Sequence, residues 1–127
     1  MKSFKPVKPV MKNKQAKTDE VEKHLKRSFP VEKTEEEVKQ MMEEYIEKNQ
    51  FVPSQKYGKQ TYRSEKPNKL GFKYLKWSFQ DGQFSLEAWV KGTLDIDWNM
   101  NGPGFLGYTI INPYRESLIE LIKKLKN

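Results

Sequence analysis

The sequence predicts an α+β domain: a meandering antiparallel sheet of four or five strands, with N-terminal and C-terminal helices packed on one of its faces. Apolar residues recur at helical spacing in two stretches, one after Thr34 and one after Pro113. Between these stretches, bulky and polar residues alternate in two runs that meet at Asp81-Gly82, the dipeptide that favours a two-residue hairpin turn. Helical stretches on both sides of alternating runs are typical of a sheet covered by helices.

The length and the charge of the chain limit the number of domains and the partners that we expect. A chain of 127 residues is one domain by size. Residues 1–17 mix lysine, proline and scattered apolar residues without a period, so we predict a flexible basic arm followed by a single domain over residues 18–127. The net charge of +7 comes almost entirely from lysine, which indicates solubility first and a nucleic-acid partner only as the alternative.

Composition excludes several classes of function. The chain has no cysteine, which excludes disulfides, thiolate metal sites and cysteine nucleophiles and fits a reducing compartment. No apolar run approaches the roughly 20 residues of a membrane span, and the basic N-terminus lacks the apolar core of a signal peptide. We therefore expect a cytoplasmic protein with no membrane contact.

The first predicted helix precedes Pro30. Asp19 and Glu22 have the spacing of a capping box, and the apolar stripe that follows stops at Pro30. That stripe consists of Val21, Leu25 and Phe29. His24, the only histidine, falls on this helix among lysines, and we predict that it is exposed to solvent.

Two further helices have clear start signals. Thr34 and Glu37 form a capping box, and glutamates in the first turn suit the positive end of the helix dipole. The buried stripe of this helix is predicted to contain Val38, Met41, Met42, Tyr45 and Ile46. In the C-terminal helix Asn112 is the predicted cap and Pro113 takes the first helical position. Its stripe contains Leu118, Leu121, Ile122 and Leu125.

The register of the central hairpin follows from its turn. With Asp81-Gly82 as a two-residue loop, Gln80 pairs with Gln83 and every other pair is found by counting back. One face then carries Leu75, Trp77, Phe79, Phe84, Leu86 and Ala88, and we predict that it is the core face. The other face pairs Ser78 with Ser85, Lys76 with Glu87 and Tyr74 with Trp89, with Phe72 beyond. This second face is polar near the turn and aromatic at the far end.

Shorter elements flank the hairpin. The segment KYGKQTYR is a weak strand candidate before it. The segment TLDIDWNM predicts a strand with Leu94, Ile96, Trp98 and Met100 on one side. The segment NGPGFLGY contains three glycines and one proline, which predicts a shaped loop, and YTII is a candidate for the last strand.

The hairpin and the segments after it resemble a known family. The segment LEAWVKG following KWSFQDG, then GPGFLGYTI and a lysine-bearing final helix, resembles the small α+β domain that forms the C-terminal part of short zinc-ribbon proteins of Firmicutes. The resemblance covers roughly Phe51 to Leu125. It implies the fold and a cytoplasmic location, and the family has no assigned activity. Those proteins open with paired cysteines, so the resemblance implies no metal ribbon in this chain.

Few residues have the spacing that catalysis or metal binding requires. A single histidine excludes multi-histidine metal sites. Asp95 and Asp97 share one face of a predicted strand and could hold a hard cation or exchange protons, with Glu87 as a third member, although two solvated positions are the simpler interpretation. The glycine-rich loop lacks the lysine and hydroxyl of a phosphate loop. We predict no catalytic residue, no metal site and no cofactor.

The aromatic end of the second hairpin face is the strongest functional signal. Phe72, Tyr74 and Trp89 are predicted to form a partly exposed patch with Lys91 at its rim, because the lysine-rich arm is a poor permanent cover. We expect a non-catalytic binding or accessory module that recognises a protein or small ligand through this aromatic sheet face. The alternative is a weak single-stranded nucleic-acid binder that uses the arm and the patch. We expect a monomer, or a dimer through a sheet edge.

Overall fold

The computed structural model describes residues 22–68, 71–92, 96–101 and 111–127. Over these ranges the chain forms six strands and two helices, so the predicted α+β class is confirmed. The strands are β1 (Leu25–Pro30), β2 (Phe51–Pro53), β3 (Thr61–Ser64), β4 (Phe72–Gln80), β5 (Gln83–Lys91) and β6 (Asp97–Trp98), and the helices are α1 (Glu35–Lys48) and α2 (Ile111–Lys126). Neither of these helices is long and apolar enough to cross a membrane.

All strand pairs of the sheet are antiparallel. The order is β1-β5-β4-β3-β2, so the chain meanders from β2 to β5, and β1 lies outside β5. The short strand β6 pairs with the last residues of β5, beyond the part of β5 that β1 occupies. Two separate segments therefore share one edge of β5.

The helix predicted before Pro30 is wrong, because this segment forms β1. Leu25 and Phe29 are four positions apart, a spacing that puts two side chains on one face of a helix and equally on one face of a strand. Both side chains are buried in the core, while the three residues between them are exposed. Pairing with the open edge of β5 along all six residues decides in favour of the strand.

The hairpin has the register predicted from its turn. Gln80 pairs with Gln83, and the pairs continue through Trp77 opposite Leu86 and Tyr74 opposite Trp89. Asp81 and Gly82 have φ angles of 51° and 79°, as a two-residue turn that matches the twist of the strands requires.

The core lies between one sheet face and the apolar stripes of the two helices. Trp77, Phe84 and Leu86 are buried on that face, so the predicted core face is confirmed. The capping box of Thr34 and Glu37 is present at the start of α1. The buried helix residues include Val38, Met42, Ile46, Tyr114, Leu118, Leu121 and Leu125.

Some predicted elements differ in their bounds from those in the structure, and other predictions concern residues that the structure does not describe. Helix α2 already begins at Ile111, which was predicted to end a strand. Among the described residues of its predicted span, β6 covers Asp97–Trp98, and Ile96 is 54% exposed. The basic arm, the cap at Asp19, the carboxylate of Asp95 and the glycine-rich loop lie outside the described residues.

Candidate functional site: the sheet groove and the His24 network

The predicted exposure of the aromatic patch is wrong for its two central residues. Tyr74 is 6% exposed and Trp89 is 3% exposed. Phe72 is half-buried, and the guanidinium of Arg63 lies 4.3 Å from the centroid of its ring. The rings of Tyr74 and Trp89 therefore offer no open surface on which a ligand could stack.

Residues from two other parts of the chain cover the patch. The indole of Trp89 lies between the Tyr74 ring at 5.3 Å and the His24 ring at 4.7 Å, and all three rings are nearly parallel. The ring of Tyr57, in the loop between β2 and β3, is nearly perpendicular to the rings of Tyr74 and Trp89, with centroid distances of 5.2 and 5.4 Å. The hairpin is thus two-sided because its second face carries a small aromatic core of its own.

His24 is the centre of a polar network that the sequence did not predict. Its Nδ1 lies 2.6 Å from Oε2 of Glu87, and its Nε2 lies 2.9 Å from Oδ2 of Asp97. Lys91, the predicted rim residue, places Nζ 2.8 Å from Oδ1 of Asp97. The predicted exposed helix position is wrong, because the His24 side chain is only 22% exposed and precedes a strand. We call these four residues the His24 network.

The backbone holds His24 in this position. The amide of Met100 donates to the carbonyl of Lys23 at 2.9 Å, and the side-chain amide of Asn101 donates to the carbonyls of Glu22 and His24. The segment before β1 is therefore tied to the segment after β6. The sequence indicates only part of this network, because two carboxylates on neighbouring strands can be brought together by register but no local pattern places His24 between Glu87 and Asp97.

The charges of the His24 network complement one another. Each ring nitrogen of His24 faces a carboxylate oxygen, and the ammonium of Lys91 faces the other oxygen of Asp97. Burial alone would raise the pKa of Asp97, but hydrogen bonds from Lys91 and His24 outweigh burial and lower it. Within the described ranges, no group of three or more histidine, aspartate and glutamate side chains is arranged to hold a metal ion.

A concavity of about 380 Å³ lies on the same sheet face, nearer the hairpin turn. We call it the sheet groove; the residues that line it are Lys26, Arg27, Ser28, Lys76, Trp77, Ser78, Ser85, Leu86 and Glu87. Ser78, Ser85 and Ser28 are aligned across three neighbouring strands by the register. Lys76, Glu87 and Lys26 form the next row in the same way, so long side chains border a row of short ones.

The polar groups of the sheet groove are unequally satisfied. The hydroxyls of Ser28 and Ser85 lie 3.1 Å apart, and Gln83 donates to Ser28 at 2.9 Å. Glu87 lies opposite Lys76 as predicted, but its carboxylate contacts His24. Lys26 contacts the exposed carboxylate of Glu22 at 3.2 Å. Lys76 makes no ion pair with any residue of the described chain.

A second concavity, of about 500 Å³, lies between the two helices. Its lining includes Tyr45, whose hydroxyl lies 2.7 Å from that of Ser117. Burial raises the pKa of Tyr45 to about 12, so this phenol stays neutral and acts as a structural link between the helices. The remaining polar lining residues carry both charge signs, which gives this concavity no charge preference.

Comparisons with protein-family models, with curated proteins and with solved structures find no match for this chain. The resemblance to the C-terminal domain of zinc-ribbon proteins therefore stays a prediction. The function must be inferred from the geometry of the sheet groove and the His24 network.

Proposed function

We propose that this domain is a non-catalytic binding module that recognises a small ligand or a protein segment through the sheet groove. The observation that carries the proposal is the groove itself, where Lys76 is without an ion-pair partner among the described residues. The recognition surface is thus the polar end of the sheet face, next to the predicted aromatic end. Phe72, Tyr74 and Trp89 lie beside the groove on the same face, where they pack against other residues of the chain instead of contacting the ligand.

The dimensions and chemistry of the sheet groove support a ligand site. Small-molecule sites commonly enclose about 300–1,000 Å³ and present a few polar groups that fix orientation. Here the short side chains of Ser78 and Ser85 leave room above the sheet, and Lys26 and Lys76 stand on either side of Glu87. Nine-residue strands that are paired on both sides give this surface a rigid base.

The non-catalytic part of the proposal rests on how the reactive groups are engaged. Both nitrogens of His24 face carboxylates of the protein, so neither is directed at a substrate proton. The groove hydroxyls of Ser28 and Ser85 contact each other, and no base contacts them among the described residues. Turnover of a hydrolase substrate panel that Asp97→Asn abolished would contradict this part.

Backbone amide shifts in nuclear magnetic resonance spectra test the binding proposal directly. A panel of metabolites and short peptides should move the amides of Ser78, Ser85 and Lys76 more than those of the helices. Ser78→Trp, at an exposed position, should fill the groove and remove the response without loss of stability. Gln40→Trp on the exposed face of α1 is the matched control. Ligand binding that Ser78→Trp leaves intact would place the site elsewhere.

A weak single-stranded nucleic-acid binder is the second candidate, favoured by Lys26, Arg27 and Lys76 around the groove. Stacking of bases on Tyr74 and Trp89 does not contribute to this candidate function, because both rings are buried. Such binding should fall steeply with salt, and its absence at about 50 mM salt would remove this candidate.

The proposal includes a monomeric state and a cytoplasmic location. The outer edge of β1 carries Lys26, Arg27 and a terminal Pro30, and the opposite edge strand β2 has only three residues including Pro53. Charge, proline and short length are features that discourage pairing of edge strands. Light scattering would check the monomer, and cell fractionation would check the location.

A further inference from the structure

We propose that the ligand of the sheet groove is a small molecule that carries a phosphate group, and that His24 creates the site for it by holding Glu87 away from two lysines. This inference rests on the proposed function and names its ligand class. Lys26 and Lys76 would supply the cations, and the hydroxyl of Ser78 would supply a neutral donor.

The first step concerns the position of Glu87 in the register. Glu87 on β5 is the direct neighbour of Lys76 on β4 and of Lys26 on β1. Side chains in such positions start about 4.5–5.5 Å apart at Cβ, close enough for a carboxylate to pair with either lysine. A Glu87 carboxylate lying between the lysines would cancel one of the two positive charges and repel an anion.

The second step concerns where the Glu87 carboxylate lies. It is 2.6 Å from Nδ1 of His24, and it makes no ion pair with Lys26 or Lys76 within the described chain. His24 is itself fixed by the ring of Trp89 on its face and by Asp97 at its other nitrogen. His24 is therefore a positioning residue, which acts on the ligand only through Glu87.

The third step concerns the groups that remain for the ligand. Lys76 is exposed and makes no ion pair with any described residue, and Lys26 pairs with the exposed Glu22 while Glu87 attracts it only from a longer distance. Ser78 is exposed and makes no hydrogen bond with any described side chain. Lysine ammonium groups beside a hydroxyl donor match the oxygens of a phosphate group. The volume of about 380 Å³ is sufficient for a phosphorylated sugar.

Ribose 5-phosphate, with ribose as the uncharged match, is the probe for the test. Titration followed by backbone amide shifts should show binding of ribose 5-phosphate at Ser78 and Ser85 and much weaker binding of ribose. Lys76→Gln should weaken the binding of ribose 5-phosphate about tenfold, because it removes a charge-assisted contact. Lys123→Gln on α2 is the matched control and should leave the affinity unchanged.

The role of His24 is tested by variants with opposite expected effects. His24→Phe keeps a ring against Trp89 but has no nitrogen for Glu87, so the carboxylate should turn to the lysines and weaken binding. Glu87→Gln should leave binding intact or strengthen it. The double variant His24→Phe/Glu87→Gln should regain the affinity that His24→Phe loses, which loss of structure alone would not produce.

The contrary outcomes show whether the binding function, the phosphate ligand or the role of His24 is wrong. Equal binding of ribose and ribose 5-phosphate, or binding of an acidic peptide instead, would overturn the phosphate inference and leave the binding function standing. Failure of every probe to move the groove amides would remove both. Wild-type affinity in His24→Phe, or no recovery in the double variant, would overturn the role of His24. If His24→Phe does not fold, unchanged affinity in Lys76→Gln still overturns the inference.

Discussion

At the scale of single residues, the burial of Trp89 shows that the second face of the hairpin contributes to the stability of the fold. Its indole is enclosed by Tyr74, His24 and Tyr57. Trp89→Ala should therefore lower the free energy of unfolding by about 3–5 kcal/mol, the usual cost of removing a buried large ring. Urea denaturation measures this, with Ile96→Ala at an exposed position as the control. An unchanged midpoint for Trp89→Ala would mean that the patch is open after all.

Trp77 gives the same test on the opposite face of the hairpin. Its ring is buried beside Phe84, at 6.1 Å between centroids, under the helices. Trp77→Ala should also cost about 3–5 kcal/mol, which is a large part of the stability of a domain this small. Thermal and urea unfolding would measure it. A variant as stable as the wild type would reverse the assignment of the faces.

The carboxyl of Asp97 should make stability depend on pH. Its pKa in the folded state is below the ordinary 3.8, because hydrogen bonds from Lys91 and His24 outweigh the effect of burial. Ionised Asp97 therefore stabilises the fold above about pH 4, and this contribution disappears as the pH falls through the folded pKa. Asp97→Asn should cost about 1.5–3 kcal/mol near pH 7.

The deficit of Asp97→Asn relative to the wild type should shrink when unfolding is measured below about pH 4, because the unfolded wild-type carboxyl is then already protonated and the advantage of ionised Asp97 in the folded state declines. Asp81→Asn at the exposed turn is the matched control for replacing a carboxylate by an amide. A deficit that stays constant down to pH 3 would show that the charge of Asp97 contributes nothing.

At the scale of elements, the start of β4 depends on a glycine. Gly71 has a φ of 132°, and a Cβ there would lie 2.1 Å from the carbonyl oxygen of Lys91. Gly71→Ala should force β4 away from the end of β5 and cost more than about 4 kcal/mol, in the range of the most damaging substitutions. Calorimetric unfolding is the measurement.

Gly58 provides the matched control for this prediction. It has a φ of 105°, but its nearest neighbour would be the flexible Nζ of Lys76 at 3.8 Å. Gly58→Ala should cost only the backbone strain of about 1–2 kcal/mol. Equal losses for Gly58→Ala and Gly71→Ala would show that the close approach of the backbone is unimportant.

Strand β1 shows how an element can be misassigned from its own residues. The spacing of Leu25 and Phe29 fits a helix or a strand, and Pro30 can end either. The open edge of β5 decides between them, since it pairs with each residue of β1. The partner lies more than fifty positions away in the chain, so no local pattern contains the answer.

At the scale of the whole molecule, the fold should need β1 but not the residues of the predicted arm. The side chains of the described core begin at Leu25. Removal of residues 1–17 should change the free energy of unfolding by less than about 0.5 kcal/mol, whereas removal of residues 1–30 should abolish cooperative unfolding. Circular dichroism melts of both truncations measure this. A large loss after the shorter truncation would contradict the predicted domain boundary.

The sequence by itself determined the class of the fold, the hairpin register, the core face and the capping of α1. Each depends on a few consecutive residues: Asp81-Gly82 sets the pairs of the hairpin, and Thr34 with Glu37 satisfies the first turn of the helix. Only the tertiary structure decided that β1 is a strand and that Tyr74 and Trp89 are covered. It also decided that His24 contacts Glu87 and Asp97, which lie 63 and 73 positions further along the chain. Such contacts form only when distant segments meet, because side-chain hydrogen bonds and ring contacts act over a few ångströms of space and leave no periodic pattern along the chain.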